Sequence, residues 1–426
     1  LTDATMDAAA LRTGRRQAIA AAVIGNVLEW YDFSVYAFVA TIIAKAFFPA
    51  GNDLAALLST FAAFGFGFLA RPLGGIVIGR LADRRGRKTA LVLTILMMGA
   101  GTIAIGLIPG HATLGWGAPV LLVLARLAQG FSTGGEWGGS TSFIIEWAPE
   151  NRRGLYGSFH QASVSGGLLL GSGTTALLST LLSPAAMQDW GWRLPFLLGG
   201  LLVPVGLYLR RNTSETPVFR RVQAAPAEAA GASPVGLAAR AFGFTMLWTV
   251  TSYVMLSFMP TFTQKFAGLS RVEALWSSTA GIVALVLAIP VMGYVSDRVG
   301  RKPLLLTCSI GFAVLAYPIF ALIVWGASLA VIVPTQIGVS VLIAFFSGPG
   351  PAAIAEIFPT RARVLWMSIG YSFAVAIFGG FAPYIATWLI VHTGSPLSPS
   401  LYVIGTAIVS SLVIWRLKET AHSPLR

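Results

Sequence analysis

The chain has 426 residues, a mean hydropathy of +0.75 and 11% charged side chains, whereas about a quarter of a soluble globule is charged. That excludes a water-soluble enzyme, and the lack of ten-residue alternation excludes a transmembrane barrel. The formal charge of +13 is split into short clusters between apolar stretches, so it marks membrane topology and not a nucleic-acid surface.

Twelve apolar stretches reach the roughly 20 residues that a helix needs to cross a bilayer. They cover 17–44, 54–80, 89–109, 118–146, 153–182, 193–210, 238–264, 272–296, 303–325, 329–357, 363–391 and 398–416. An all-α membrane protein of twelve transmembrane helices is therefore predicted. Twenty-three of the 29 Lys and Arg fall in alternate loops and the two termini. Lys45, Arg193, Lys265 and Arg271 lie on the other side, and Arg71 and Arg126 lie within spans. Both termini are thus expected in the cytoplasm. The resulting map has an N-terminus (1–16), a six-helix bundle (17–210), a Pro-containing cytoplasmic linker (211–237), a second bundle (238–416) and a tail (417–426). The first dozen residues are polar and offer no secretory signal core. The lone Cys308 sits in an apolar span, so neither a disulfide nor a metal site is expected.

Span one carries Gly25-Asn26-Val-Leu-Glu29-Trp30-Tyr31-Asp32-Phe33 and span two carries Arg71-Pro72. Span two ends in Gly79-Arg-Leu-Ala-Asp83-Arg84-Arg85-Gly86-Arg87-Lys88, which recurs 214 residues on as Gly293-Tyr-Val-Ser-Asp297-Arg298-Val299-Gly300-Arg301-Lys302. A second pair, Glu146 to Arg153 and Glu356 to Arg363, lies 210 residues apart. Two landmarks at nearly one offset indicate a doubled membrane unit. Gly79 and Gly293 permit close helix approach. Asp83 and Asp297 can pair with Arg87 and Arg301, or sit against a neighbouring helix N-terminus, where the dipole favours an anion.

This charged turn resembles the signature of the major facilitator superfamily, and the resemblance covers essentially the whole chain. Further motifs include Arg126-Leu-Ala-Gln129-Gly130, Gly134-Gly135-Glu136-Trp137 and Trp190-Gly-Trp-Arg193. With the span-one motif, they resemble the metabolite:proton symporter family, whose carriers take α-ketoglutarate, citrate, shikimate, proline or betaine. Ile377-Phe-Gly379-Gly380 resembles the α-ketoglutarate and citrate branch. The resemblance implies a monomeric carrier in the bacterial inner membrane that rocks two six-helix bundles about a central site. It also implies a cytoplasmic latch made by Asp83, Arg87, Asp297 and Arg301, extended by Glu146 with Arg153 and Glu356 with Arg363. The implied activity is proton symport of a small organic anion, a di- or tricarboxylate such as α-ketoglutarate or citrate. The alternative is a zwitterion such as proline or betaine, or an aromatic acid. The proton gradient supplies the drive, with sodium the other coupling ion to test, and no cofactor is expected.

Five charges stand inside spans: Glu29, Asp32, Arg71, Arg126 and Glu136. Each costs about 2.5–3.5 kcal/mol at the bilayer centre, so each is expected to be paired and functional. Counting 1.5 Å per residue puts Arg71, Glu136 and Glu29 in one layer, with Asp32 and Arg126 further outward. Asp32 facing Arg126 is the expected coupling pair, because an anion competing for the guanidinium frees the carboxylate to take a proton. Glu136 with Arg71 is the alternative pair, and an ion pair that only fixes packing is the third option. Glu29 either faces a vestibule or pins span one. Arg71 and Arg126 are also the candidate substrate anchors, since guanidinium grips carboxylate bidentately. His160 and Gln161 lie about two turns into span five, and they join Tyr36 and Tyr371 as candidate cavity residues. The second half offers Ser252, Tyr253, Gln336, Tyr371 and Ser372 where the first has charges. No Walker-type Gly-Lys-Ser/Thr supports ATP drive, and no interfacial His/Asp/Glu cluster supports a lipid enzyme. A doubled latch argues against a passive channel.

Overall fold

The computed structural model describes residues 23–24, 26–49, 52–85, 87–134, 136–211, 234–358, 360–421 and 423, and it excludes the side chains of 79, 82–91, 136, 139, 143, 147, 202, 205–211, 234 and 360–365. The described residues are helical almost throughout. We number the helices α1 (26–47), α2 (Asp53–Arg85), α3 (Arg87–Leu107), α4 (Gly117–Ser132, continued by Glu136–Trp147), α5 (Arg153–Leu181) and α6 (Leu194–Arg211). They continue as α7 (Val235–Phe266), α8 (Arg271–Val299), α9 (Arg301–Gly326), α10 (Leu329–Glu356), α11 (360–393) and α12 (Pro399–Arg416).

Eight of these, α2, α5 and α7 to α12, are long and apolar enough to cross a bilayer, and α1 makes a ninth across a 62° bend after Phe38. The helices α3, α4 and α6 stand where the other three spans are expected. In α3 and α4 the apolar portions are shorter, Val92–Leu107 and Gly117–Ser132. A turn at Thr133 and Gly134 interrupts α4, as a Gly-Gly pair favours. Leu73, Leu287, Leu201 and Trp325 are 63–72% exposed, a lipid-facing surface that no water-soluble fold tolerates.

Local chemistry sets the ends. Ser270 and Glu273 form a capping box that starts α8. Gly300 turns from α8 into α9 at φ +108°, a conformation open essentially to glycine alone. The two halves meet along α5 against α8 and along α2 against α11, pairs that the doubling relates. Within the first half, α2 and α4 cross backbone to backbone. A Cβ on Gly130 would fall on the carbonyl oxygen of Gly67, and this contact brings Arg126 alongside Arg71. Two helices widen to π geometry beside the centre: α7 over Tyr253–Phe258 and α11 over Val375–Gly380. Such insertions often mark functional sites.

Candidate transport site

A central cavity lies between the halves. Its first-half wall is Trp30 of α1 with Gln161, Val164, Ser165 and Leu168 of α5. The opposite wall is mainly α7, from Thr245 to Ser257, with Leu285, Ser347 and Tyr371. The cavity volume of about 50 Å³ is enough to hold water. No charged side chain lines it among the described residues. Trp248 donates its indole N–H to Ser347 Oγ at 2.9 Å. Tyr371 stacks on Trp137 of α4 at 3.7 Å between ring centres, closing the floor across the halves.

The expected anchors stand behind this wall, not on it. The Arg71 guanidinium lies 4.5 Å from the Phe68 ring centre, 4.6 Å from Phe33 and 5.6 Å from Trp30. Arg126 lies 4.7 Å from Tyr36, 4.8 Å from Phe64 and 5.1 Å from Phe33. Depth counting separated the two arginines, yet both cover Phe33. Each has its Nε and Nη2 buried without a hydrogen-bond partner among the described residues. Such orphan donors cost about 1–3 kcal/mol apiece, against up to about 2 kcal/mol returned by a desolvated cation–π contact. Among the described residues the chamber is thus short of an acceptor for these donors.

Asp32 does not face Arg126 directly. Arg126 donates to Gln129 Oε1 at 2.9 Å, and Gln129 donates to Thr102 Oγ1 at 2.7 Å. Thr102 in turn lies beside Asp32, both against Gly199 of α6. Asp32 Oδ1 is buried with no hydrogen-bond partner among the described residues. Neutral amide and hydroxyl groups therefore bridge what was expected to be an ion pair. Glu29 is buried and engaged in a contact of its own. The side chain of Glu136 lies outside the described residues, so its pairing with Arg71 has no geometry here.

Two cavity expectations also change. His160 turns between α4 and α5, its Nε2 2.8 Å from Ser140 Oγ and its ring edge-on to Trp137. Its neighbour Gln161 takes the wall. Tyr36 donates to the Thr60 carbonyl at 3.0 Å and stacks on Phe64, so it packs the chamber. Sequence reasoning passed over Gln129 and Thr102, which carry no charge to flag them, and Trp248, hidden in an apolar run.

On the cytoplasmic face, Asp297 accepts the backbone N–H of Gly154 at 2.8 Å and of Leu155 at 2.9 Å, at the N-terminus of α5. It also pairs with Arg301 at 2.8 Å, and Arg301 reaches Glu356 at 3.4 Å. Arg153 was expected to pair with Glu146; it lies 3.8 Å from Glu150 and donates to the Ser423 carbonyl at 2.8 Å. Glu146 is half-buried and has a contact of its own. Thr420 donates to Glu356 at 2.6 Å, so the tail joins the latch, which the sequence did not suggest. Asp83, Arg87 and Arg363 lie outside the described side chains. On the opposite face, Lys265 of α7 pairs with Asp53 of α2 at 2.6 Å, and Trp276 donates to Thr180 at 3.1 Å. Contacts at both faces join the halves.

Residues 18–233 match the family described as Sugar (and other) transporter, and residues 268–426 match the Major Facilitator Superfamily. The chain is 35% identical over 427 residues to the glycine betaine/proline/ectoine/pipecolic acid transporter OusA of Dickeya dadantii (strain 3937), covering 96% of this chain and 85% of that one. It is 36% identical over 392 residues to the citrate-proton symporter of Klebsiella pneumoniae, covering 91% and 88%. The solved structure of the proton:xylose symporter XylE bound to 6-bromo-6-deoxy-D-glucose superposes with a TM-score of 0.77 at 18% identity, covering 97% and 98%, which shows a shared fold. The helices, the repeated charged turn of the sequence and these matches agree: this chain belongs to the major facilitator superfamily, as a multi-pass transporter of the bacterial inner membrane and not an enzyme.

Proposed function

We propose that the protein is a proton-coupled symporter of a small zwitterion bearing one carboxylate, of the proline or betaine kind. The observation that carries this is the cavity wall. It presents the aromatic residues Trp30, Trp248, Tyr253 and Tyr371 among hydroxyls and one amide, with no charge among the described residues. A cationic or methylated ammonium end gains about 0.5–2 kcal/mol on such rings, while one carboxylate can be met by hydroxyl donors. A di- or tricarboxylate stripped of water would meet no cation on this wall, at a cost of several kcal/mol per charge. What favours the dicarboxylate alternative is the pair of guanidinia one ring behind, whose Nε and Nη2 have no acceptor among the described residues. The names of the relatives include both substrate kinds.

Protons supply the drive. Asp32 is the coupling acid, linked to Arg126 through Gln129 and Thr102. No cofactor takes part. Thermal-shift measurements on the purified protein with proline, glycine betaine, citrate, α-ketoglutarate and shikimate test the substrate. A ligand at 100 times its Kd stabilises by about 2.7 kcal/mol. Stabilisation by citrate or α-ketoglutarate alone would reverse the assignment. For coupling, Asp32→Asn is expected to lose pH-driven accumulation in vesicles and keep exchange. Uphill uptake equal to wild type, or uptake that follows sodium in place of pH, refutes it.

A further inference from the structure

Tyr253 makes contacts that a place on the cavity wall does not require. It lies on the cavity wall, yet its ring meets Phe68 edge-on at 5.3 Å and Phe64 at 6.1 Å. Those are the rings that cover Arg71 and Arg126. Its hydroxyl is buried, without a hydrogen-bond partner among the described residues, and within electrostatic reach of both guanidinia. Behind it stands Gly379 of α11, where a Cβ would come within 2.8 Å of the Tyr253 ring and overlap the Thr249 hydroxyl. Tyr253 opens the π segment of α7.

The partition between cavity and arginine chamber therefore has two panels of different origin. Trp30 belongs to the same half as the arginines and moves with them. Tyr253 belongs to the other half and is withdrawn whenever α7 moves away from α2. We propose that Tyr253 is a door between the substrate cavity and the buried chamber of Arg71 and Arg126, which Gln129 and Thr102 link to Asp32, closed in this structure and opened by the rocking of the halves. It is a positioning residue: it ties access to the chamber to the conformational cycle. Its consequence for protons rests on Asp32 being the coupling acid.

The test uses the full chain in proteoliposomes, with two readouts that need no substrate. Proton entry under an imposed potential is followed with a trapped pH dye, and phenylglyoxal modification of Arg71 and Arg126 is followed by mass spectrometry. Tyr253→Ala is expected to raise both about tenfold, as loss of two aromatic contacts across the seam implies. Tyr253→Phe keeps the ring and is expected to remain within about twofold of wild type. Tyr253→Leu, which preserves bulk if the alanine variant does not fold, is expected to raise labelling too. Faster labelling without proton entry supports the door and refutes Asp32 as the proton site. Labelling at wild-type rates in a folded Ala or Leu variant overturns the proposal, as does a Phe variant that labels like Ala.

Discussion

Asp297→Asn tests the cytoplasmic latch at its most connected point. The carboxylate is 5% exposed and accepts three hydrogen bonds, two from the N-terminus of α5 and one from Arg301. Asparagine keeps one acceptor and turns an amide donor toward a second N–H. One charge-assisted bond lost is worth about 1.5–3 kcal/mol, and the missing charge at the helix N-terminus adds about 0.3–1 kcal/mol. A net loss of about 3 kcal/mol shifts the closed-to-open ratio on the order of 100-fold. Hydrogen exchange of the Gly154 and Leu155 amides reads this directly, because both bonds break when the latch opens. Exchange at that peptide is expected to rise on the order of 100-fold while that of the α8 core stays unchanged. Equal exchange in wild type and variant refutes a latch held by Asp297.

The tail gives a pH prediction. Burial pushes the Glu419 carboxyl up, but four backbone N–H groups, from Arg301, Ala421, Lys302 and Thr420, outweigh it and hold it below the usual range. A depressed carboxyl stabilises docking above its unfolded pKa of about 4.3, and that stabilisation fades as pH falls through the lower folded value. Tryptic cleavage after Lys418 at neutral pH is accordingly expected to quicken in Glu419→Gln. Tail release on mild acidification should appear only below the ordinary carboxylate range. Gly130→Ala is expected to cost about 3 kcal/mol or more, because backbone cannot yield, and should lower the melting temperature sharply. Gly405→Ala, with no atom within 4 Å of its Cβ, should stay within about 0.5 kcal/mol of wild type.

The sequence disclosed which charges are buried better than where they point. Residues 29, 32, 71 and 126 lie inside the bundle as the span count required, because depth follows from 1.5 Å per residue. Direction needs the helix phase, and successive residues point about 100° apart. For that reason Gln161 reaches the cavity while His160 turns to Ser140. The 62° bend in α1 falls between Asp32 and Lys45, and no Pro or Gly announces it. Asp297 and Arg301 were legible because their charged turn is repeated. Glu419 was not, since a single carboxylate in a polar tail has no pattern. Gln129 and Thr102 carry no formal charge to mark them in the sequence, whereas a buried network is completed by neutral groups.

The halves have divided their chemistry, and the division constrains how coupling works. The first half keeps the ionisable groups behind aromatic rings, and the second supplies most of the hydroxyl and aromatic wall. A proton in the chamber and a solute in the cavity can influence each other only through what lies between them. Linkage requires that each favour the same conformational step. To hold uncoupled proton passage below about one cycle in a hundred, the two routes must differ by about 2.7 kcal/mol. The contacts of Tyr253 with Phe64 and Phe68, at about 0.5–1.5 kcal/mol each beyond burial, supply about 1–3 kcal/mol of that difference. A partition of this strength is weak enough to part when the halves rock and strong enough to limit slip, so tightness of coupling should follow the aromatic seam more closely than any single charge.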